Sequence, residues 1–327
     1  MRERVSLAVI VLTFNEELHI GRLLRHLGDF GSRVFVVDSF STDKTVEIAR
    51  QMGASVSQHR FVNYALQFRW AIDNLPFDCE WVMRLDADEM LSQELAEEIR
   101  SRLPGLPTEV TGVNLQRRHV FLGRWIRWGG RYPLVLLRIW RKGAAKIEQR
   151  WMDEHMVLIK GSAVTFDNDF LDHNLNDLVF FTDKHNKYAT REAIDVLLKR
   201  YDPESADEAL SRRSASLQAA SKRWLKETVY NRLPFWCGPF GYFLYRYFLQ
   251  LGFLDGAEGL VYHFLQGFWY RFLVAVKVEE LDLELKPLAD RRARLEALAR
   301  LTGYRLSDFE GARSLAVERI GRARPRA

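Results

Sequence analysis

Through its first ninety residues the chain alternates short apolar runs with stretches of helical periodicity. Val5 to Leu12 is apolar apart from Ser6, as expected of a strand covered on both faces. Thr13-Phe14-Asn15-Glu16-Glu17 leaves that strand. Ile20, Leu23, Leu24 and Leu27 then recur at i, i+3, i+4 and i+7, an amphipathic helix closed by Gly31. Val34 to Val37 predicts a second strand, followed by the polar stretch Asp38-Ser39-Phe40-Ser41-Thr42-Asp43. Ser41 or Thr42 is placed to cap a helix carrying Val46, Ile48, Ala49 and Met52, with Gly53 at its end. A short strand over 54–57, a helix over 65–72 and a strand over 81–85 follow. Strand–helix alternation with short connections implies a mostly parallel sheet with helices on both faces and ligand loops at the carboxyl ends of the strands. Polar residues gather there: Thr13, Asn15 and Glu17, then Asp38, then Asp86 and Asp88.

The strand at 81–85 runs out into acids: Trp81-Val82-Met83-Arg84-Leu85-Asp86-Ala87-Asp88-Glu89. Continued extended backbone would point Asp86 and Asp88 to one side. Paired carboxylates at a strand end suit Mg²⁺ or Mn²⁺, which take oxygen ligands together with substrate phosphates. The plainer alternative is a solvated acidic turn. Neither G-x-G-x-x-G after the first strand nor G-x-x-x-x-G-K-[ST] is present, which argues against a classical dinucleotide fold and a P-loop.

With 327 residues the chain has room for one large core and a smaller one. A formal charge of +5 favours anionic partners such as nucleotides, phosphates or an anionic membrane surface. Without zinc-finger spacing, an RNP-like strand or a long basic block, it does not point to nucleic acid. Cys79 and Cys237 make no disulfide framework, so a reducing compartment is expected. The short apolar run after Met1-Arg2-Glu3-Arg4 reads as the first strand rather than a signal segment.

Three strings together resemble a known family: Val9 to Glu17, Val36 to Asp43, and Leu85 to Glu89. They look like the inverting family 2 glycosyltransferases of the GT-A fold, closest to the bacterial lipopolysaccharide-core and exopolysaccharide type. The resemblance is tight over 6–90 and looser to about 260. It implies an α/β fold, a single mixed sheet flanked by helices, that binds a nucleotide-diphosphate sugar. It also implies that Asp86 and Asp88 hold Mg²⁺ or Mn²⁺, with Asp86 facing the ribose as well. Thr13, Asn15, Glu17 and Asp38 would line the base and ribose pocket, Phe14 would stack on the base, and Arg69 would approach the nucleotide. Phe14 stands where many relatives carry tyrosine, and Asp38-Ser39 where many carry two aspartates. Asn15 and Asp38 could instead cap helices, and Arg69 could form a surface ion pair. Glu16 reads as solvent-facing.

Beyond a turn at 103–107 and a strand at 110–115 lies Arg117 to Arg131, with five arginines and two tryptophans among fifteen residues. Arginine pairs bidentately with phosphate or carboxylate, and Trp offers a ring to a sugar or lipid. The segment is an acceptor or phosphate clamp, through Arg124, Arg127 and Arg131, or a basic loop with aromatic anchors. Its strings Phe121 to Ile126 and Gly129 to Pro133 are also similar to the same subgroup. Leu134 to Trp140 predicts another strand. Asp153 and Glu154, beside His155, are the candidate general bases for deprotonating an acceptor hydroxyl; spacing does not separate them. By resemblance His173 completes the metal site; read plainly, it is a loop histidine beside a capping Asn174. Lys184 and Lys187, one turn apart on a helix after Leu175, can reach one phosphate.

The tail is rich in aromatic residues between 230 and 272. A basic helical pattern over 205–230 precedes two dense aromatic runs, 233–250 and 260–278. Arg246 and Arg271 interrupt the runs, and neither is a spanning segment. The pattern suits helices lying in a membrane interface, or a helical subdomain that packs on the core or forms a homo-oligomer. A polar helix at about 288–301 and a basic end with Arg319, Arg322, Arg324 and Arg326, expected to be disordered, complete the chain.

The sequence therefore predicts a catalytic domain over 1–200 and a helical extension over 201–327. The expected activity is transfer of a hexose from a nucleotide-diphosphate sugar, UDP-sugars foremost, to a lipopolysaccharide-core or lipid-linked saccharide. The expected place is the cytoplasm, peripheral to the inner face of the cell membrane. The alternatives are a nucleotidyltransferase, which would want a Gly-rich loop absent from 12–18, and a non-catalytic scaffold of glycan assembly.

Overall fold

The computed structural model describes residues 6–28, 33–148, 155–201 and 237–304. They form two compact units, divided between Asp177 and Leu178.

The first unit is built on one mixed sheet. In chain order it contains β1 (Leu7–Thr13), α1 (Ile20–Gly28), β2 (Arg33–Asp38), α2 (Thr45–Gln51), β3 (Ser55–Gln58) and α3 (Tyr64–Asp73). Then come β4 (Trp81–Arg84), β5 (Glu89–Leu91), α4 (Gln93–Arg102), β6 (Val110–Phe121), β7 (Arg124–Trp125) and β8 (Leu134–Arg141). A small hairpin of β9 (Ala145–Ile147) and β10 (Met156–Leu158) precedes β11 (Ser162–His173). The main sheet runs β3-β2-β1-β4-β8-β6-β11-β5, with β7 paired to β6. β3, β2, β1 and β4 are parallel; β8 pairs antiparallel with both β4 and β6, and β5 pairs antiparallel with β11.

The continuous apolar run of β1 is explained by what covers it. Leu7, Val9 and Val11 pack on one face with Ile20, Leu23 and Leu27 of α1 and Ile99 of α4. Ala8 and Ile10 pack on the other with Ala65 and Phe68 of α3 and with Trp140. Alternate side chains of one strand thus feed two separate cores. Each fully buried Val, Leu or Ile contributes about 1.5–3 kcal/mol. A charge at Val9 would break one helix–sheet layer outright.

The structure alters several predicted elements. β6 runs to Phe121, so Arg117, Arg118 and His119 are strand residues rather than part of a loop. β11 is likewise continuous from Ser162 to His173 and carries Asp167, Asp169 and Asp172. α2 begins at Thr45, with no side-chain cap from its N-cap residue, Lys44. Asp43, not Ser41 or Thr42, accepts from the Thr45 amide and hydroxyl. The expected helix stop at Gly31, the helix over 205–230 and the basic end beyond 304 lie outside the described residues.

The second unit is helical and rich in aromatic residues. It comprises α5 (Leu178–Tyr201), α6 (Cys237–Leu244), a π-helical turn at Tyr245–Leu249 and a 3-10 turn at Gly252–Asp255. α7 (Gly256–Tyr262), a π-helical stretch at His263–Trp269, α8 (Tyr270–Leu285) and α9 (Arg291–Thr302) follow. Its core joins Ala193, Ile194 and Leu197 of α5 to Val274, Val278 and Leu281 of α8 and Leu298 of α9. Among the described residues no helix is long and apolar enough to cross a membrane.

Candidate active site

Parallel pairing brings the carboxyl ends of β2, β1 and β4 side by side, with Thr13 in register with Asp38. Asp38 is fully buried. Its carboxylate accepts from the Thr13 hydroxyl at 3.0 Å, from the amide and hydroxyl of Ser41, and from Gln58 Nε2 at 3.1 Å. A buried charge is tolerated when it is satisfied in this way. Asp38 therefore fixes the start of the β2–α2 loop from within.

The β1–α1 loop is zipped to that loop. The Asn15 amide donates to Ser41 Oγ and its side-chain oxygen accepts from the Thr42 amide, both at 2.8 Å. The Glu17 amide donates to Asp43, and Glu17 Oε2 accepts from the Lys44 amide. Asn15 and Phe40 both adopt left-handed backbone, with φ of 56° and 62°. Asn tolerates that region through local side-chain hydrogen bonds, whereas Phe pays a steric cost. Phe14 and Phe40 are both more than half exposed on these two loops. Glu16, expected to face solvent, instead holds buried His19 at 2.7 Å, and His19 Nε2 accepts from the Leu175 amide.

Asp86 and Asp88 occupy a turn between β4 and β5 rather than an extended strand, with the Glu89 amide donating to the Asp86 carbonyl. Alternation persists through the turn: Leu85, Ala87 and Glu89 are buried, while Asp86 and Asp88 are partly exposed. Asp86 Oδ1 accepts from the Tyr64 hydroxyl at 2.9 Å and lies 3.7 Å from Arg84 Nε. Arg84 in turn sits over the Tyr64 ring at 4.4 Å. Burial pushes the Asp86 carboxyl up, but Arg84, Arg138 and the Tyr64 hydroxyl outweigh it and hold Asp86 below the usual range. Glu89 behaves oppositely. Burial raises it to about 8 against the pull of Arg138, with Asp86 and Asp172 adding to the rise. Its side chain is buried between the Asp86 amide and Arg138.

Asp88 accepts from Asn174 Nδ2 at 2.8 Å, and its carbonyl accepts from the His173 amide. Arg22 ties the Asp88 and His173 carbonyls together from α1. Burial, followed by the nearby Arg22 charge, lowers the His173 imidazole below its ordinary value. Among the described residues no three His, Cys, Asp or Glu side chains are grouped to hold an ion. The contact recorded between His173 and Asp88 runs from the His173 amide to the Asp88 carbonyl. Two carboxylates nevertheless fit Mg²⁺ or Mn²⁺, which usually take one or two protein carboxylates and fill the rest with phosphate and water.

Beside the turn, strand residues form a polar and aromatic patch. Arg118 donates to Asp169 through Nε and Nη2, and Tyr132 donates to the same carboxylate. The Trp125 ring lies 4.3 Å from the Arg118 guanidinium, 5.3 Å from that of Arg127, and 5.0 Å edge-on from Tyr132. Arg124 and Arg127 are exposed and Arg131 partly so. His119 Nδ1 and Asp172 lie 3.0 Å apart, with Arg117 at 3.3 Å from the same carboxylate.

Other expected site residues fall elsewhere. Arg69 pairs with Asp73 one helical turn away at 3.8 Å; the arginine beside the carboxylates is Arg84. Lys184 belongs to the second unit, near the Phe180 and Tyr188 rings. Asp153 and Glu154 lie outside the described residues, between β9 and β10, while His155 is described and exposed.

Residues 8–171 match the model of glycosyl transferase family 2. The chain belongs to that family. An uncharacterized glycosyltransferase of Rickettsia typhi is 39% identical over 94 residues, which cover 29% of this chain and 32% of the relative. A homologue from Rickettsia conorii is 38% identical over 99 residues, covering 30% and 34%. The chain thus spans about a third of the length of these curated relatives. Among solved structures, Staphylococcus aureus TarS residues 1–349 with UDP-GlcNAc aligns at 14% identity and a TM-score of 0.43, covering 84% of this chain and 92% of that one. Mannosyl-3-phosphoglycerate synthase from Rubrobacter xylanophilus aligns at 13% and 0.42, covering 65% and 79%. Membership of the family accords with the GT-A-like mixed sheet flanked by helices; a helical, aromatic-rich extension follows it in the chain.

Proposed function

We propose that this family 2 member is an inverting transferase moving a hexose from a nucleotide-diphosphate sugar, UDP-sugars foremost, to a lipopolysaccharide-core or lipid-linked saccharide. The observation that carries this reading is the placement of the Asp86–Asp88 turn beside the Thr13–Asp38 pair at adjacent strand ends.

In this reading the base and ribose lie along the Phe14–Glu17 and Ser39–Asp43 loops, with Phe14 and Phe40 offering ring faces. Asp86, kept ionised by Arg84 and Tyr64, and Asp88, held by Asn174, face the diphosphate. Bound Mg²⁺ or Mn²⁺ would offset charge on the departing diphosphate. Asp153 or Glu154 takes the proton from the acceptor hydroxyl as its oxygen attacks the anomeric carbon and the bond to the diphosphate breaks. Arg124, Arg127 and Arg131 meet acceptor phosphate or sugar; Lys184 is a further phosphate contact. The functional division is a catalytic domain over 1–200 and an extension over 201–327, and a lipid-linked acceptor places the protein at the inner face of the cell membrane.

The test is calorimetric titration of the full chain with UDP, GDP, ADP and dTDP, each with and without Mn²⁺. Tight, metal-dependent binding of one diphosphate that disappears in Asp88→Ala is expected. A folded protein that binds none of them would overturn the transferase reading.

A further inference from the structure

The second unit has an inverted surface between Phe240 and Phe264. Its ionisable side chains Arg246, Asp255 and His263 are buried, and Glu258 is partly so. The exposed residues over the same stretch are apolar, aromatic or glycine. Water selects the opposite arrangement. Hydrocarbon selects this one, because ionisable groups must then find partners inside the protein.

Exposure peaks in one turn. Phe248, Leu249, Leu251, Phe253 and Leu254 all project there, and Leu249 is 77% exposed. Leu251 sits in left-handed backbone with φ of 61°, a conformation that Gly or Asn adopts far more readily. The chain keeps a leucine there despite the strain. Polar backbone in the turn is satisfied locally: the Gln250 amide donates to the Tyr245 carbonyl, Leu251 to Phe248, and Leu254 to Leu251. The Gln250 side chain is turned onto the Tyr245 hydroxyl at 3.1 Å. Beneath the turn, Arg246 donates through Nη1 to Gln266 at 2.9 Å and lies by the Tyr242 and Tyr262 rings. An apolar medium demands such self-sufficiency.

One cation marks the rim. Arg271 is the single exposed charged residue over 237–278, and its guanidinium lies 4.1 Å from the Tyr242 ring centre. A cation and a tyrosine at the edge of an apolar face match the headgroup level of an anionic leaflet. A second copy of the chain would be a poorer fit, since protein interfaces carry roughly one hydrogen bond per 100–200 Å² and this turn presents almost no polar side chain. No described helix can span a bilayer, so the mode is interfacial.

We propose that Phe240–Phe264 docks on a lipid bilayer, with the Phe248–Leu254 turn among the acyl chains and Arg271 at the phosphate headgroups. This deepens the membrane-side reading above but is independent of the chemistry at Asp86 and Asp88.

The full chain should co-sediment with phosphatidylcholine vesicles, and more strongly when phosphatidylglycerol is included. Leu249→Glu should lower partitioning about tenfold or more, as expected for replacing a buried leucine by a charge. Arg271→Gln should cost about fivefold on anionic vesicles only, the scale of one basic residue near such a surface. Leu283→Glu, a change at another highly exposed leucine on α8, should leave partitioning unchanged; circular dichroism confirms that each variant is folded. Wild-type protein that stays in the supernatant, or Leu249→Glu protein that sediments like wild type, overturns the proposal. So does light scattering that shows a dimer dissociated by Leu249→Glu without vesicle binding. Nucleotide titration of the same samples separates the readings: intact metal-dependent nucleotide binding without vesicle binding sinks only the docking surface. Vesicle binding without nucleotide binding sinks only the transferase.

Discussion

Tyr64 and Asp86 are joined by a 2.9 Å hydrogen bond from phenol to carboxylate. Burial keeps the phenol far above its ordinary pKa, so it stays a donor throughout the working range of a protein. The bond lowers Asp86 while the Arg84 cation over the same ring fixes the phenol in place. Tyr64→Phe keeps the ring and the cation contact and deletes only the donor. Metal-dependent nucleotide affinity should fall about threefold to tenfold, on the scale of one hydrogen bond to a charged group, with little change in melting temperature. Calorimetry with the preferred diphosphate checks this, and unchanged affinity would mean that Asp86 does not depend on Tyr64.

Asp88 is held by the Asn174 side chain, whereas Asp86 lies beside Arg84. If its carboxylate meets the diphosphate-bound cation, Asp88→Asn should lower turnover at least about a hundredfold, the scale of removing one transition-state stabiliser. Asn174→Ala, which removes only the restraint, should have a smaller effect. Steady-state assay of the two variants separates them: similar losses would assign Asp88 a structural task shared with Asn174.

The β-α-β order, the strand ends and the polar loops were legible because period-2 and period-3.6 apolar patterns survive in sequence. Thr13, Asp38 and Asp86 could be picked out for the same reason: each sits one step beyond an apolar run, and Asp88 follows two residues later. What was not legible depends on pairing across long sequence separation. The β11 residues Asp169 and Asp172 look like loop acids until Arg118 and His119 of β6 are placed beside them. Tyr64 and Arg84 carry no motif; they join the candidate site only because the fold lays the Tyr64 ring of α3 against Arg84 and its hydroxyl on Asp86. The expectation for Arg69 rests on resemblance alone, and the alternative of a surface ion pair is the arrangement it adopts with Asp73. The sequence pattern suggests an extended strand through Asp86 and Asp88, whereas the chain turns at Ala87 and Asp88, closed by the Glu89 amide on the Asp86 carbonyl, with Ala87 buried between the two acids.

Arg127 lies over the faces of Trp125 and Trp128 at 5.3 and 5.6 Å, which orients an exposed guanidinium without burying it. In the proposed reaction this group meets the acceptor. Arg127→Ala should therefore raise the acceptor KM about fivefold to twentyfold, the range of a cation–π and phosphate contact. The kcat and the donor KM should stay within about twofold, as uniform binding requires. Initial-rate kinetics with a lipid-linked saccharide decide it; a fall in kcat at constant KM would move Arg127 to the reacting centre.

Glu98 of α4 clamps the helix to β11. Its buried carboxylate accepts from the Asp167 and Asn168 amides and from Asn168 Nδ2, and it pairs with Arg102. Burial raises its pKa, but these donors outweigh burial and leave it below the ordinary value of 4.5. The unfolded chain therefore takes up a proton before the folded one as pH falls. Stability from Glu98 is complete above about 4.5 and is lost as pH drops through the lower folded value. Glu98→Gln keeps the size but sets an NH₂ group against backbone donors. It should cost about 2 kcal/mol or more at pH 7, the penalty for leaving buried donors unsatisfied. Its unfolding midpoint should also fall less steeply with acid than that of the wild type. Urea unfolding of the two proteins from pH 7 downward measures both effects, and parallel acid limbs would show that the clamp carries no linked proton.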